Sequence, residues 1–232
     1  MSIPNYIVAS SKQWHQEGFS RFSSGKDNQV WRYVSTSDEL RSCLLEVVPR
    51  YIFFLHWNWI VPAAVLEANE CVCFHMTDVP YGRGGSPLQN LILRGKTETT
   101  VTALRMTEEL DAGPVYVKKP MVLNGRAEEI YLRAGQLCWK MIDLIIKTEP
   151  VPQPQTGEVK LFSRRKPEQS VLPETGGLKD MHNFIRMLDA PTYPPAFLEH
   201  GDYRLEFSQA DLTKNEIHAC VVIRLKKGLV DE

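Results

Sequence analysis

The sequence lacks any long hydrophobic run. Its 232 residues are 43% hydrophobic and 24% charged, as in ordinary globular proteins, but no apolar stretch approaches the length of a membrane span. The N-terminus (Met1–Asn5) also lacks a basic segment followed by an apolar core, so we expect no signal peptide. These absences argue against a secreted or membrane-embedded protein, and we expect no membrane partner.

An excess of one charge and regular cysteine or histidine spacings are missing as well. The 27 Lys and Arg residues nearly balance 28 Asp and Glu residues. The formal net charge of −1 does not indicate the overall positive charge that is typical of nucleic-acid-binding proteins. The five cysteines include no Cys-x-x-Cys pair, which predicts reduced thiols and a cytoplasmic protein. The six histidines are scattered without a His-x-x-x-His spacing, so no metal site is predicted. No glycine-rich phosphate loop follows the first apolar run, which excludes the dinucleotide fingerprint.

The sequence does contain a regular alternation of short apolar runs and amphipathic segments. Strands are predicted at Tyr6–Ala9, Val30–Val34, Tyr51–Leu55 and Cys71–Phe74. Helical segments separate them; one begins at Ser37 as a plausible N-cap, and another covers Pro62–Ala68. This order predicts an α/β fold with a doubly wound, mostly parallel sheet.

Further segments follow this sheet. They are a strand over Thr99–Met106, a returning strand at Val115–Val117, a helix over Arg126–Ile146, a short helix over Leu178–Leu188, and alternating runs at Tyr203–Phe207 and Ile217–Leu225. The clearest linker is the proline-rich segment Pro150–Pro154. We therefore predict one domain over 1–150 and a small helical and β-hairpin extension over 151–232.

The stretch from Cys71 to Pro114 carries the candidate chemistry. An apolar run brings His75 into a loop rich in glycine and proline, and Asp111 stands in a later turn. Between them a helix is predicted with Ser86 as its N-cap and Pro87 at its first position. Histidine exchanges protons near neutral pH, and a neighbouring carboxylate can fix its tautomer. A strand-end histidine with an unrelated aspartate has the same spacing, so the residues alone leave both interpretations open.

The same stretch resembles the formyltransferases that use N10-formyltetrahydrofolate, the family of methionyl-tRNA formyltransferase and the sugar N-formyltransferases. The matching features, in order and spacing, are His75, Pro80, Arg83-Gly84, Pro87-Leu88-Gln89 and Asp111-Ala112-Gly113. The resemblance covers about the first 150 residues, and extends more loosely through Arg186–Phe197. It implies that 1–150 is a catalytic domain and 151–232 a substrate-binding extension.

The resemblance also implies roles for the central residues. His75 and Asp111 would be the acid/base pair, while a tetrahedral oxyanion on the formyl group would need a hydrogen-bond donor. The family's usual donor is an asparagine, and Cys73 stands at its position here. Cys73 is left with three alternatives: a weak oxyanion donor, a nucleophile, or an inert small residue; we favour the first or the last.

Two groups of residues would bind the reactants. The folate would contact Trp57, Asn58, Ile60, Leu110 and Asp111. For the tryptophans, simple packing against the sheet edge is an equal alternative. The second group, Arg83, Arg164, Arg165 and Tyr193, is predicted to bind the acceptor substrate, although bracing of the loop is an alternative for Arg83.

The acceptor predicted from these features is a nucleotide-linked amino sugar, carrying UDP or dTDP. Arg164, Arg165 and Lys166 form a basic patch suited to a diphosphate. Methionyl-tRNA formyltransferases continue into a basic barrel domain, and the chain is expected to lack one, so no nucleic acid partner is predicted. Formylation of another amine as in methionyl-tRNA formyltransferase, hydrolysis of formyltetrahydrofolate and a non-catalytic homologue remain alternatives. The oligomeric state is open, with a homodimer as one option.

Overall fold

The computed structural model describes residues 3–191 and 193–226. The strands are β1 (Asn5–Ala9), β2 (Val30–Val34), β3 (Tyr51–Phe54), β4 (Cys71–His75), β5 (Tyr81–Gly84), β6 (Glu98–Arg105), β7 (Val115–Val122), β8 (Lys160–Phe162), β9 (Ala196–His200), β10 (Tyr203–Leu212) and β11 (Ile217–Leu225). The helices are α1 (Trp14–Ser23), α2 (Ser37–Glu46), α3 (Ala63–Ala68), α4 (Pro87–Leu93), α5 (Ala127–Thr148) and α6 (Leu178–Arg186), with a 3-10 turn at Pro167–Ser170. Met1 and Ser2, in the N-terminal segment Met1–Asn5, and Thr192, in the Arg186–Phe197 run, lie outside the described residues.

The described chain divides into two compact units. The first comprises 3–84, 100–121 and 132–161, and the second comprises 85–99, 122–131, 162–191 and 193–226. The domain boundary predicted at the proline-rich linker stays a prediction.

The first unit is built on a six-stranded sheet in the order β2-β1-β3-β4-β6-β7. Strands β1 to β4 run parallel, and β6 pairs antiparallel with β4. Ile7, Val8, Ile52 and Phe53 are fully buried, so neighbouring residues on both faces of β1 and β3 are covered. Burying each such side chain contributes about 1.5–3 kcal/mol. The predicted α/β fold with a doubly wound, mostly parallel sheet is confirmed.

This topology places the loops that carry candidate site residues at one edge of the sheet. Because β1, β3 and β4 are parallel neighbours, the loops that follow them leave from the same side. Ligands of such sheets bind at the carboxyl ends of the strands. The loop beginning at His56 and the loop beginning after His75 both start there.

Two predicted helix starts differ from the structure. The N-cap of α2 is Thr36 and not Ser37, because Thr36 has an extended backbone and its hydroxyl accepts from the Glu39 N–H at 3.1 Å. Ser86 precedes α4 as predicted, but its backbone is left-handed (φ 48°) and its side chain does not cap the helix. The Ser86 hydroxyl instead accepts from the Arg165 N–H at 3.0 Å.

Strand β5 runs through a segment whose glycines suggested only turns. It pairs with β8 in a two-stranded sheet, next to a hydrogen bond from the Lys160 N–H to the Pro80 carbonyl of 3.1 Å. Gly82 and Gly84 have φ angles of 80° and 106°, at which a residue with a side chain would be strained. The glycines therefore allow an unusual strand, and no apolar alternation marks it in the sequence.

The second unit contains α4, α6 and an antiparallel sheet in the order β11-β10-β9. Strands β10 and β11 form the predicted hairpin, while β9 was not predicted. Gln89 of α4 is fully buried and donates to the Tyr131 hydroxyl and to the Met187 carbonyl, both at 3.0 Å. This side chain joins three segments of the unit.

Within 3–191 and 193–226, the structure has no helix whose length and apolar character would let it cross a membrane.

Candidate active site

His75 lies at the end of β4 with 8% of its surface exposed. Its Nε2 is 2.8 Å from the carbonyl oxygen of Gly82, which also accepts from the Thr77 hydroxyl at 3.1 Å. A carbonyl oxygen can only accept, so Nε2 carries the hydrogen and, in the neutral ring, Nδ1 holds the lone pair. The backbone of β5 thus fixes the tautomer, a role that the sequence analysis gave to Asp111.

Asp111 provides the carboxylate that faces this nitrogen. Its Oδ2 lies 3.5 Å from His75 Nδ1, and the two side chains are only 10% and 9% exposed. The same oxygen accepts from the Gly84 N–H at 2.9 Å, and the Asp111 backbone is left-handed with φ 54°. A proton taken up at Nδ1 would place an imidazolium beside a carboxylate, which stabilises the charged ring. The pair can therefore accept and return a proton.

Cys73 precedes His75 by two residues on β4, so both side chains lie on one face of the strand. Burial, and next the negative charge of Asp111, raise the pKa of the Cys73 thiol. The thiol therefore stays protonated near neutral pH, which disfavours the nucleophile alternative because the thiolate is the reactive form. A weak hydrogen-bond donor or an inert residue remains.

The loop after β3 combines one packed tryptophan with exposed residues. Trp57 is half-buried against the core of the first unit and meets the rings of Phe54 and Trp59 edge-on, at centroid distances of 5.7 and 4.9 Å. Asn58 is exposed, and so is Ile60, at 94%. Leu110, beside Asp111, is 69% exposed. An amide and open aliphatic side chains fit the edge and faces of a flat pterin ring.

Arg83 is held within the first unit. Its side chain is 12% exposed, its Nε donates to the Gln155 side-chain oxygen at 3.0 Å, and its Nη1 lies 3.3 Å from Glu109. These contacts support the bracing role and leave little of Arg83 for a substrate.

The other predicted substrate residues lie in the second unit. Arg164 is exposed, and the guanidinium of Arg165 lies 5.6 Å from the Phe184 ring. The Tyr193 hydroxyl donates to the Gln89 side-chain oxygen at 3.3 Å, and its ring stacks on Tyr131. Arg164 is therefore the more solvent-accessible of the two arginines.

Two features of the first unit were not predicted from the sequence. Gln155, which directly follows the segment interpreted as a linker, contacts Arg83 and the Asp111 turn. His15 and His56 lie with their Nε2 and Nδ1 atoms 2.9 Å apart. Burial, and to a lesser extent the charge of His56, lowers the pKa of His15 to about 2. Burial, and to a lesser extent the positive charge of Lys12, lowers the pKa of His56 to about 4. No sequence signal pairs these histidines, because α1 and the loop after β3 are 41 residues apart.

Across the described parts of the chain, no three His, Cys, Asp or Glu side chains converge as a metal site would require.

Comparisons with known proteins place this site in a family. A family model described as "Methionyl-tRNA formyltransferase, C-terminal domain" matches residues 167–224. The structure of methionyl-tRNA formyltransferase from Clostridium thermocellum is 41% identical, with a TM-score of 0.92, over 96% of this chain and 99% of that one. Methionyl-tRNA formyltransferase from Thermodesulfovibrio yellowstonii is 23% identical over 78% of this chain and 61% of its own length. The chain thus spans about three fifths of that curated relative.

Two predictions about the substrate are wrong. A sugar N-formyltransferase from Shewanella sp FDAARGOS_354 is only 15% identical at a TM-score of 0.71, over 92% of this chain and 100% of that one, which shows the fold alone. The prediction of a nucleotide-linked amino sugar as acceptor is therefore not supported. The prediction that the protein has no nucleic acid partner is contradicted, because similar proteins are methionyl-tRNA formyltransferases. The acceptor was mispredicted because the basic patch at Arg164–Lys166 does not distinguish a diphosphate from an RNA backbone. Nucleic acid was wrongly excluded because the net charge of a protein does not reveal a local basic surface. The segment taken for a small appendage matches the C-terminal domain model.

The predictions of a formyltransferase and of N10-formyltetrahydrofolate as its formyl donor are confirmed at the level of the family. On the evidence of near-complete coverage at 41% identity, this chain belongs to the formyltransferase family.

Proposed function

We propose that this protein transfers a formyl group from N10-formyltetrahydrofolate to the α-amino group of methionyl-tRNA. The observation that carries the proposal is the end-to-end similarity to a methionyl-tRNA formyltransferase at 41% identity. The His75–Asp111 pair supports it chemically, because formylating an amine requires a group that takes up the proton of that amine. The cytoplasmic location is part of the proposal, and five free thiols are compatible with it.

The first unit would supply the acid/base groups. N10-formyltetrahydrofolate supplies the formyl carbon when bound. His75 would take the amine proton at Nδ1, since Nε2 is engaged with the Gly82 carbonyl. Asp111, 3.5 Å from Nδ1, would stabilise the resulting imidazolium. His75 would return this proton from Nδ1 to the folate nitrogen as the bond from that nitrogen to the formyl carbon breaks. Cys73 would contribute at most a weak hydrogen bond.

Recognition would involve both reactants. Trp57, Asn58, Ile60 and Leu110 would contact the folate, as the exposure of the last three allows. Arg164 and Arg165 would contact phosphates of the RNA backbone, for which a guanidinium is well suited. The homodimer stays a prediction.

Release of tetrahydrofolate, followed spectrophotometrically, tests this function. We expect release with charged methionyl-tRNA and little release with uncharged tRNA, free methionine or no acceptor. Equal release without any acceptor would indicate hydrolysis and contradict the proposal. No release with any acceptor, from folded protein that binds the folate, would contradict it as well.

A further inference from the structure

Gln155 uses its entire side-chain amide on the residues around Asp111. Its Nε2 donates to the carbonyl oxygens of Asp111 and Gly113, both at 2.8 Å. Its Oε1 accepts from the Arg83 Nε at 3.0 Å. Both amide hydrogens and the oxygen are therefore engaged, and all three partners belong to the first unit.

These partners flank the atoms that hold the acid/base pair. Arg83 stands in β5 between Gly82, whose carbonyl oxygen lies 2.8 Å from His75 Nε2, and Gly84, whose N–H donates to Asp111 Oδ2 at 2.9 Å. A displacement of β5 would move both contacts together. Gln155 links β5, through Arg83, to the turn that carries Asp111.

The Asp111 turn needs such support. Its φ of 54° lies in the left-handed region, where a residue with a side chain is held only if its surroundings favour it. The two bonds from Gln155 fix the carbonyl of Asp111 itself and that of the residue two positions on. The segment of Gln155 is anchored in turn, because Gln153 and Val115 exchange backbone hydrogen bonds of 2.7 and 2.8 Å.

We propose that Gln155 is a positioning residue, which clamps β5 to the Asp111 turn and so holds the Asp111 carboxylate against His75 Nδ1. The inference rests on the proposed formyl transfer for its kinetic consequence. Its structural consequence, the setting of the His75–Asp111 geometry, is measurable without any turnover.

Gln155→Glu is the most informative substitution. It keeps the oxygen that accepts from Arg83 but replaces both N–H donors by an oxygen facing two carbonyls. We expect kcat to fall about 10- to 100-fold with KM for both substrates within about threefold, because small displacements of reacting groups reduce rates on this scale. Gln155→Met, which introduces no charge, serves as a second variant if Gln155→Glu folds poorly. Gln153→Ala is the matched control, since Gln153 contacts Val115 through its backbone, and it should retain the wild-type rate.

A double-mutant cycle separates positioning from a general loss of structure. In the Asp111→Asn background, Gln155→Glu should reduce kcat by less than about threefold, because the carboxylate that it positions is already gone. Multiplying effects of the two substitutions would overturn the proposal. Wild-type kcat in both Gln155→Glu and Gln155→Met would overturn it as well.

Nitrogen-15 NMR of the histidine rings provides the readout that does not need activity. We expect the His75 imidazole shifts to change in Gln155→Glu and Gln155→Met and to stay at wild-type values in Gln153→Ala. Unchanged His75 shifts in both Gln155 variants would refute the clamp. If wild-type protein formylates no methionyl-tRNA but these shifts change as expected, the proposed function fails and the clamp stands.

Discussion

Replacing Asp111 by asparagine tests the acid/base pair with minimal change of shape. Asparagine tolerates the left-handed backbone of this position (φ 54°) and keeps an oxygen that can accept from the Gly84 N–H. The substitution therefore removes mainly the negative charge that faces His75 Nδ1. We expect the fold to persist and the rate to fall.

The distance sets the size of the expected effect. Opposite unit charges 3.5 Å apart attract by about 5 kcal/mol at an effective dielectric constant of about 20, and by about 1 kcal/mol in bulk water. Both side chains are about nine-tenths buried, so the effect should lie toward the larger value. At about 1.4 kcal/mol per factor of ten, kcat should drop by about two to three powers of ten.

The assay is steady-state formylation of methionyl-tRNA with a thermal melt of each protein. Asp78→Asn is the matched control, because Asp78 pairs with Lys118 at 2.6 Å and is 61% exposed. It should leave kcat unchanged. A folded Asp111→Asn enzyme with kcat within about threefold of wild type would refute the role of the carboxylate.

Three further predictions concern other residues. In the folded protein His15 and His56 have pKa values of about 2 and about 4, below the ordinary 6.5, so the unfolded protein binds more protons and stability is lost as pH falls below 6.5. His15→Gln should therefore reduce the loss of unfolding free energy between pH 7 and 5 by about 2 kcal/mol, and an equal loss in the variant and the wild type would contradict this. Cys73→Ser should keep kcat within about tenfold of wild type, and a trapped formyl-enzyme in a mass spectrum would instead establish a nucleophile. In Gly113→Ala the new Cβ would lie 1.8 Å from the Arg105 carbonyl oxygen, so urea unfolding should show that the free energy of unfolding falls by about 1–3 kcal/mol. Gly177→Ala, whose new Cβ would have no contact under 3.7 Å, is the control, and equal stability of the two variants would disprove the clash.

The central sheet could be predicted because its signal is local. The runs at Val30–Val34 and Tyr51–Leu55 are short and rich in aromatic and β-branched residues, and the structure places β2 and β3 there. Strand β5 could not be found in this way, since its glycines adopt positive φ angles and its pairing with β8 joins segments about 75 residues apart. A pairing over that distance depends on the tertiary fold and leaves no periodicity in the sequence.

The candidate site shows the same limit. His75 and Asp111 could be singled out through a motif with fixed spacing, and the structure brings them to 3.5 Å. The Gly82 carbonyl and Gln155 were missed, because backbone atoms carry no sequence signature and Gln155 lies in a segment rich in proline. The acceptor was predicted wrongly because a basic run such as Arg164–Lys166 indicates an anion and not the molecule that carries it.

Identification of the formylated product distinguishes formylation of methionyl-tRNA from hydrolysis of the formyl donor. Wild-type protein is incubated with N10-formyltetrahydrofolate and methionyl-tRNA, the ester bond is hydrolysed with base, and the released amino acid is identified by mass spectrometry. We expect N-formylmethionine in an amount equal to the tetrahydrofolate formed. Tetrahydrofolate accompanied by free formate and unmodified methionine would contradict it.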